Sequence, residues 1–149
     1  MNTVNITIDG IKVTVPADYT VLEAAKEAKI YIPTLCYLKD INQIGACRMC
    51  LVEASGTRGL AAACVLPVTE GMVVTTNNEK IRKARKANLE LLLSNHNREC
   101  TSCVRSGNCE LRTLCTELGV RDYPYEGSKT ESVVDDLSPS VVRDNSKCI

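Results

Sequence analysis

Cysteine spacing is the feature of this sequence that most constrains its fold. Nine of the 149 residues are cysteines, and eight of them form two sets, within residues 36–64 and 100–115. The chain contains no Phe and no Trp, so its core lacks the largest apolar side chains. An odd number of cysteines fits a framework of disulfides poorly. We therefore predict that bound metal, rather than disulfides, helps to hold the fold together.

The first residues and the charge balance indicate a compartment and exclude some partners. Residues 1–10, MNTVNITIDG, lack the basic start and the apolar run of a signal peptide. No apolar stretch approaches the ~20 residues that a membrane span needs. We therefore expect a cytoplasmic, reducing location, where thiols stay available to bind metal. The formal net charge is zero, which disfavours nucleic acid and membrane as partners.

The N-terminal region predicts a hairpin followed by a helix. Apolar and polar residues alternate over residues 3–8 and 11–15, and the intervening Asp9-Gly10 is a strong signal for a two-residue turn. In TVLEAAKEAKI, residues 20–30, Thr20 and Glu23 have the spacing of a capping box. The sequence also predicts short strands, at residues 50–54 and 71–76.

Helices dominate the predictions for the second half of the chain. Residues 79–95 place their apolar side chains on one side of a long helix. A second helix is expected from Glu110 to about Leu118, with Gly119 as its stop. The remainder, residues 121–149, shows no periodicity and is expected to be an extended linker, with one short strand at residues 132–134. The basic residues of 80–86 are a candidate docking surface for an acidic partner, and a solvated helix face is the alternative.

The first cysteine set consists of Cys36, Cys47, Cys50 and Cys64, spaced C-x10-C-x2-C-x13-C. Two residues between Cys47 and Cys50 let one turn aim both sulfurs at one metal centre, and Gly45 adds backbone freedom to that turn. Four thiolates suit either tetrahedral zinc or a [2Fe–2S] cluster. Zinc sites usually use two close pairs, whereas one close pair with two distant partners is nearer the ferredoxin arrangement.

The second set leaves two ligand assignments open. One is the all-thiolate set Cys100, Cys103, Cys109 and Cys115, spaced C-x2-C-x5-C-x5-C. The other is His96, Cys100, Cys103 and Cys109, spaced H-x3-C-x2-C-x5-C. General cluster chemistry favours four thiolates. Helix periodicity points the other way, because it puts Cys115 on an apolar stripe expected to be buried. Without a ligand role, His96 is a helix-end histidine favoured by the helix dipole.

The two motifs together resemble a known family. PTLCYLKDINQIGACRMCLVE, followed by Cys64 and then NHNRECTSCVRSGNCEL, resembles the N-terminal electron-relay region of multi-cluster [FeFe]-hydrogenases. The complex I 75 kDa subunit and certain NAD-linked formate dehydrogenases share both modules. Within this superfamily, VRSGNCEL looks more like the hydrogenases.

The resemblance implies an α+β chain with two cluster domains. Residues 1–78 are expected to form a ferredoxin-like β-grasp [2Fe–2S] domain. Residues 79–120 are expected to form a small, mainly helical [4Fe–4S] domain with one histidine and three cysteine ligands, and residues 121–149 a linker to a missing ferredoxin-type domain. The implied [2Fe–2S] ligands are Cys36, Cys47, Cys50 and Cys64. The implied [4Fe–4S] ligands are His96, Cys100, Cys103 and Cys109. Cys115 has no ligand role in the family pattern.

The resemblance also implies a function in electron transfer. We expect a relay between a redox partner, either an NAD(P)H-oxidising flavoprotein subunit or ferredoxin, and the remainder of a parent hydrogenase, with no active site in this chain. The ending DNSKCI looks like the start of a two-cluster ferredoxin domain, in which Cys148 would be the first ligand. The alternative from another class is a zinc-stabilised interaction module.

Overall fold

A computed structural model describes residues 2–148, and its first element is the predicted hairpin. Strands β1 (Thr3–Ile8) and β2 (Ile11–Pro16) pair antiparallel, with Ile8 opposite Ile11. Both turn residues are left-handed, at φ 48° for Asp9 and 84° for Gly10, as a two-residue turn between twisted strands requires. The alternating pattern buries one face of the hairpin and confirms the prediction.

The hairpin belongs to a five-stranded mixed sheet of order β2-β1-β5-β3-β4. The other strands are β3 (Leu51–Ala54), β4 (Leu60–Ala62) and β5 (Val73–Thr75). β5 runs parallel to β1, and the remaining neighbours are antiparallel. Strands β3 and β5 were predicted, whereas β4 was not.

Helix α1 (Val21–Glu27) packs its buried residues into the core beside the sheet. The predicted capping box is confirmed: Thr20 Oγ1 accepts from the Glu23 amide at 3.3 Å, and Glu23 Oε2 accepts from the Thr20 amide at 2.8 Å. The start of α1 also holds the segment that carries Cys64, because the Leu22 amide donates to the Ala63 carbonyl at 3.0 Å. This is the ferredoxin-like α+β arrangement expected from the sequence.

Helix α2 spans Glu79–Asn95, as predicted, and buries Ile81, Leu89 and Leu93. The expectation of a basic docking face is wrong for Arg85, which is only 6% exposed. The lysines of this helix lie within 4.0 Å of carboxylates: Lys80 with Glu53, Lys83 with Glu79, and Lys86 with Glu90. The positive charge on these exposed lysines is therefore balanced locally.

The chain divides into two compact units between Arg85 and Lys86. The second unit contains a 3₁₀ turn (Cys100–Ser102) and helix α3 (Glu110–Glu117), which is followed by a left-handed Gly119 with φ 65°. Its C-terminal part adds β6 (Val134–Asp135), β7 (Arg143–Asp144) and a 3₁₀ turn (Asn145–Lys147). The strand expected at 132–134 is thus shifted, and it pairs antiparallel with β7. No helix within residues 2–148 is long and apolar enough to cross a membrane.

Candidate metal centres

The structure brings the four thiols of the first set together as two pairs. The Cys47 amide donates to Cys36 Sγ at 3.4 Å, and the two thiols influence each other directly. The thiols of Cys50 and Cys64, each 1% exposed, are close enough to influence each other and form the second pair. Within residues 2–148, no three His, Cys, Asp or Glu side chains converge on a single-ion site. Two neighbouring thiol pairs match the ligand arrangement of a two-iron centre, in which each iron takes two thiolates.

The backbone conformation of residues 45–50 directs backbone amides at the cysteine sulfurs of the same loop. Gly45 has φ 63°, and a Cβ there would lie 3.3 Å from Val65 Cγ2, so glycine is the residue that fits. Arg48 is also left-handed, at φ 55°. In this conformation the Met49 backbone hydrogen-bonds to the Cys47 sulfur. Amides that point at sulfur stabilise negative charge on a thiolate or a cluster.

The thiols of the first set differ in acidity for identifiable reasons. Burial, chiefly, raises the pKa of Cys64 to about 12, with contributions from the hydrogen bond to Cys50 and from the charges of the neighbouring thiolates. Burial is also the main cause of the raised pKa of Cys36. Burial acts to raise the pKa of Cys47 as well, but backbone hydrogen bonds outweigh it and leave that pKa lowered. Four crowded thiolates need a cationic centre, so this donor set fits an iron–sulfur cluster.

Most residues of the second set line a cavity of about 1150 Å³. His96, Cys100, Cys109 and Cys115 all line it, together with apolar and polar side chains of α3 and of the C-terminal residues. In the described part of the chain Cys103 lies outside this wall, on the adjacent turn, where its amide donates to the Cys100 carbonyl at 3.3 Å. Of the four residues in the histidine-containing assignment, His96, Cys100 and Cys109 therefore line one cavity. The fourth, Cys103, lies on the adjacent turn.

The prediction that Cys115 is buried packing is wrong in degree. Leu111 and Leu114 are buried, at 3% and 2% exposure, but Cys115 is only half-buried and lines the cavity. Burial raises the pKa of Cys115, and the charges of Cys109 and Cys100 raise it further. Cys115 lies one residue beyond Leu114, at the edge of the apolar stripe. Because Cys115 and His96 line the same cavity, both are candidates for the fourth ligand of the second set.

A backbone contact favours one tautomer of His96. Its Nδ1 lies 3.2 Å from the carbonyl oxygen of Cys148. A carbonyl oxygen only accepts, so Nδ1 carries the hydrogen and, in the neutral ring, the lone pair is left on Nε2. Metal-ligating histidines typically show this pattern, with one nitrogen donating to a carbonyl and the other free for metal. His96 therefore fits a ligand role.

The C-terminal residues that supply this carbonyl are anchored to the segment around His96. The Asn97 amide donates to the Ser146 carbonyl at 2.9 Å, and Lys147 Nζ donates to the Glu99 carbonyl at 3.3 Å. Asp144 Oδ1 in turn accepts from the Ser146 amide at 2.9 Å. No motif or periodicity indicates this role beforehand, because the contacts are made largely by backbone atoms.

Sequence reasoning also missed the placement of Arg85. Its Nη2 donates to the Leu51 carbonyl at 2.7 Å and to the Thr76 carbonyl at 3.0 Å, which ties α2 to the start of β3, directly after Cys50, and to the residue that follows β5. Its position along the helix was the signal that could have predicted its burial. Arg85 lies four residues after Ile81 and four before Leu89, on the stripe that faces the core.

Comparison with known proteins identifies two iron–sulfur regions. Residues 1–79 match the 2Fe-2S iron-sulfur cluster binding domain, and residues 85–124 match the NADH-ubiquinone oxidoreductase-G iron-sulfur binding region. The chain belongs to the 2Fe-2S iron-sulfur cluster binding domain family. It is an iron–sulfur electron-transfer module with a [2Fe–2S] domain and a [4Fe–4S] region. The expected family resemblance and the two expected cofactors are confirmed.

Relatives of this iron–sulfur module include hydrogenase and complex I-type subunits. It is 46% identical to the NADP-reducing hydrogenase subunit HndD of Solidesulfovibrio fructosivorans, across 100% of this chain and 26% of the relative. It is 42% identical to the mitochondrial NADH-ubiquinone oxidoreductase 78 kDa subunit of Candida albicans, across 78% of this chain and 16% of the relative. The chain thus spans about a quarter or less of these curated relatives.

A solved structure confirms the fold. A chain in the crystal structure of NAD+-reducing [NiFe]-hydrogenase in the H2-reduced state matches with a TM-score of 0.83 and 32% identity. The match covers 91% of this iron–sulfur chain and 57% of the other.

Proposed function

We propose that the chain relays single electrons through two clusters held by eight specific residues. The [2Fe–2S] ligands are Cys36, Cys47, Cys50 and Cys64. The [4Fe–4S] ligands are His96, Cys100, Cys103 and Cys109. The observation that carries the proposal is the meeting of the first four thiols as two buried or half-buried pairs. When bound, the clusters would supply reversible one-electron chemistry, and the chain around the first set would limit solvent access and direct amides at sulfur.

His96, rather than Cys115, is proposed as the fourth ligand of the second cluster. The contact between His96 Nδ1 and the Cys148 carbonyl leaves Nε2 as the nitrogen available to iron. Cys115 also lines the cavity, but it lies on α3 next to the buried Leu114. A neutral imidazole in place of a thiolate makes the cluster less negative, which raises its reduction potential.

The wider setting is also proposed. We infer that the chain acts as the N-terminal part of a cytoplasmic [FeFe]-hydrogenase and exchanges electrons with an NAD(P)H-oxidising flavoprotein subunit or ferredoxin. The relative named NADP-reducing hydrogenase subunit supports this setting through its 46% identity. The same module in a complex I-type subunit or a formate dehydrogenase is the second candidate, and the NADH-ubiquinone oxidoreductase relative favours the complex I type.

Metal analysis tests the relay against a zinc-stabilised module. Anaerobic, iron-replete protein is expected to be brown and to hold about six iron ions per chain, from one [2Fe–2S] and one [4Fe–4S] cluster. Electron paramagnetic resonance of the reduced protein is expected to show both clusters. Colourless protein with stoichiometric zinc would contradict the proposal.

Substitution of the two competing residues tests the ligand assignment. We expect Cys115→Ser to keep the four-iron signal and His96→Ala to lose or alter it. Because both side chains line one cavity, the double variant reports whether Cys115 replaces the missing imidazole. Cys148→Ser, which changes an exposed thiol but keeps the carbonyl, is the control and should retain both signals. Loss of the four-iron signal in Cys115→Ser alone would restore the all-cysteine site.

A further inference from the structure

Arg85 is a buried cation whose hydrogen bonds go to neutral carbonyls. Its side chain is 6% exposed, and Nη2 donates to the carbonyls of Leu51 and Thr76. Its Nε has no hydrogen-bond partner, and no carboxylate within residues 2–148 lies at ion-pair distance from it. A buried charge is normally paired, because removing it from water is costly unless an opposite charge compensates it.

Negative charge is available on the adjacent metal centre. Leu51, whose carbonyl Arg85 binds at 2.7 Å, directly follows the buried Cys50. Burial lowers the pKa of Arg85, while the charges of Cys50 and, after it, Tyr31 oppose that effect and favour the guanidinium form. A cluster held by four thiolates is anionic and becomes more so when it accepts an electron. A fixed cation nearby, in a site of low dielectric, therefore stabilises the reduced form more than the oxidised form.

We infer that Arg85 is the buried counter-charge of the [2Fe–2S] centre and raises its reduction potential. The inference rests on the proposed ligation by Cys50. The role is one of positioning charge rather than binding iron. It differs from the role of the exposed lysines on the same helix, whose charges are screened by water and paired with carboxylates.

A purely structural role makes a different prediction. Arg85 joins α2 to β3 and to the residue that follows β5 through two carbonyl acceptors, and that tie needs donors but no charge. Arg85→Gln keeps an amide donor without the charge, and Arg85→Lys keeps the charge without the planar fork. Arg85→Met removes both. The exposed Arg82, which donates to Asn77 Oδ1 at 3.0 Å, provides the matched control Arg82→Gln.

The test is a redox titration of the [2Fe–2S] signal in the full chain with both clusters loaded anaerobically. We expect the Met and Gln variants to shift the midpoint to more negative potential, and the Lys and Arg82→Gln variants to stay near the parent value. Loss of the two-iron signal in both neutral variants, with retention in Arg85→Lys, would also support the inference.

Two outcomes would overturn it. One is an unchanged midpoint in neutral variants that retain the cluster. The other is a Lys variant that shifts or loses the signal as much as the Gln variant, which would indicate the structural tie. Because the Gln and Lys variants each keep a donor, comparing them separates the charge role from the structural role even if the Met variant fails to fold. Absence of a two-iron signal in the parent chain would instead contradict the proposed function.

Discussion

The packing of α1 against the sheet gives a quantitative test of how the fold holds the first metal centre. Leu22 is 1% exposed within the core cluster, and its amide donates to the carbonyl of Ala63, the residue before Cys64. Leu22→Ala keeps that backbone bond but removes most of the buried side chain. We therefore expect a cavity next to the segment that carries a proposed ligand, and a loss of both stability and cluster retention.

The size of the effect follows from burial. Replacing a fully buried Leu by Ala typically costs about 2–5 kcal/mol, and small domains are stable by only about 5–15 kcal/mol in total. With a urea m-value of about 1.5 kcal/mol/M, the unfolding midpoint of the first unit should fall by roughly 1–3 M. The [2Fe–2S] cluster should also be lost faster, because binding of the metal centre is coupled to folding.

The assay is an anaerobic urea titration of the cluster-loaded chain, followed by far-ultraviolet circular dichroism and by visible absorption. Leu38→Ala is the matched control, because Leu38 is 58% exposed and surface substitutions usually change stability by less than about 0.5 kcal/mol. If Leu22→Ala moved the midpoint no further than Leu38→Ala, the packing argument would be refuted.

Three further predictions concern the cap, the ligand loop and the order of cluster loss. Thr20→Ala should cost about 1 kcal/mol in urea unfolding because it breaks the capping box, whereas Thr20→Ser should restore most of it. Gly45→Ala should lower the free energy of unfolding by roughly 1–2 kcal/mol and slow reconstitution of the two-iron cluster, because Gly45 has a left-handed φ of 63°. Gly127, which has no such constraint, provides the control Gly127→Ala, and an equal effect there would contradict this prediction. A chelator should remove the four-iron signal first in paramagnetic resonance, since Cys100 is exposed and Cys64 is buried, and the reverse order would disprove the exposure argument.

Much of the fold could be predicted because its signals are local. The Asp9-Gly10 turn, the capping box at Thr20 and the apolar stripe of α2 are each encoded within a few residues, and each prediction is confirmed. Strand β4 was not predictable in this way, because its three residues, LAA, show no alternation. Its extended conformation follows from pairing with β3, which is a tertiary interaction.

The candidate sites likewise have features that local sequence predicts and features that depend on tertiary structure. Cysteine spacing groups the first four thiols into one set, because only two residues separate Cys47 from Cys50. It does not predict that Cys47 pairs with Cys36 and Cys50 with Cys64. Spacing could not choose between His96 and Cys115, because the end of α2 and the face of α3 bring both to one cavity. Nor could residue type reveal the buried position of Arg85, because arginine on a helix is usually exposed.

The contact that favours His96 comes from outside the sequence motif. The carbonyl that favours one tautomer of His96 belongs to Cys148, 52 residues further along the chain, whereas the matched iron–sulfur binding region covers residues 85–124. Every peptide unit has a carbonyl, so no amino-acid type signals this acceptor; only the fold places it. The anchoring of Ser146 on Asn97 shows how the placement is achieved. The motif thus specifies which atoms are available, while the tautomer of the proposed ligand His96 depends on a backbone carbonyl that the motif does not contain.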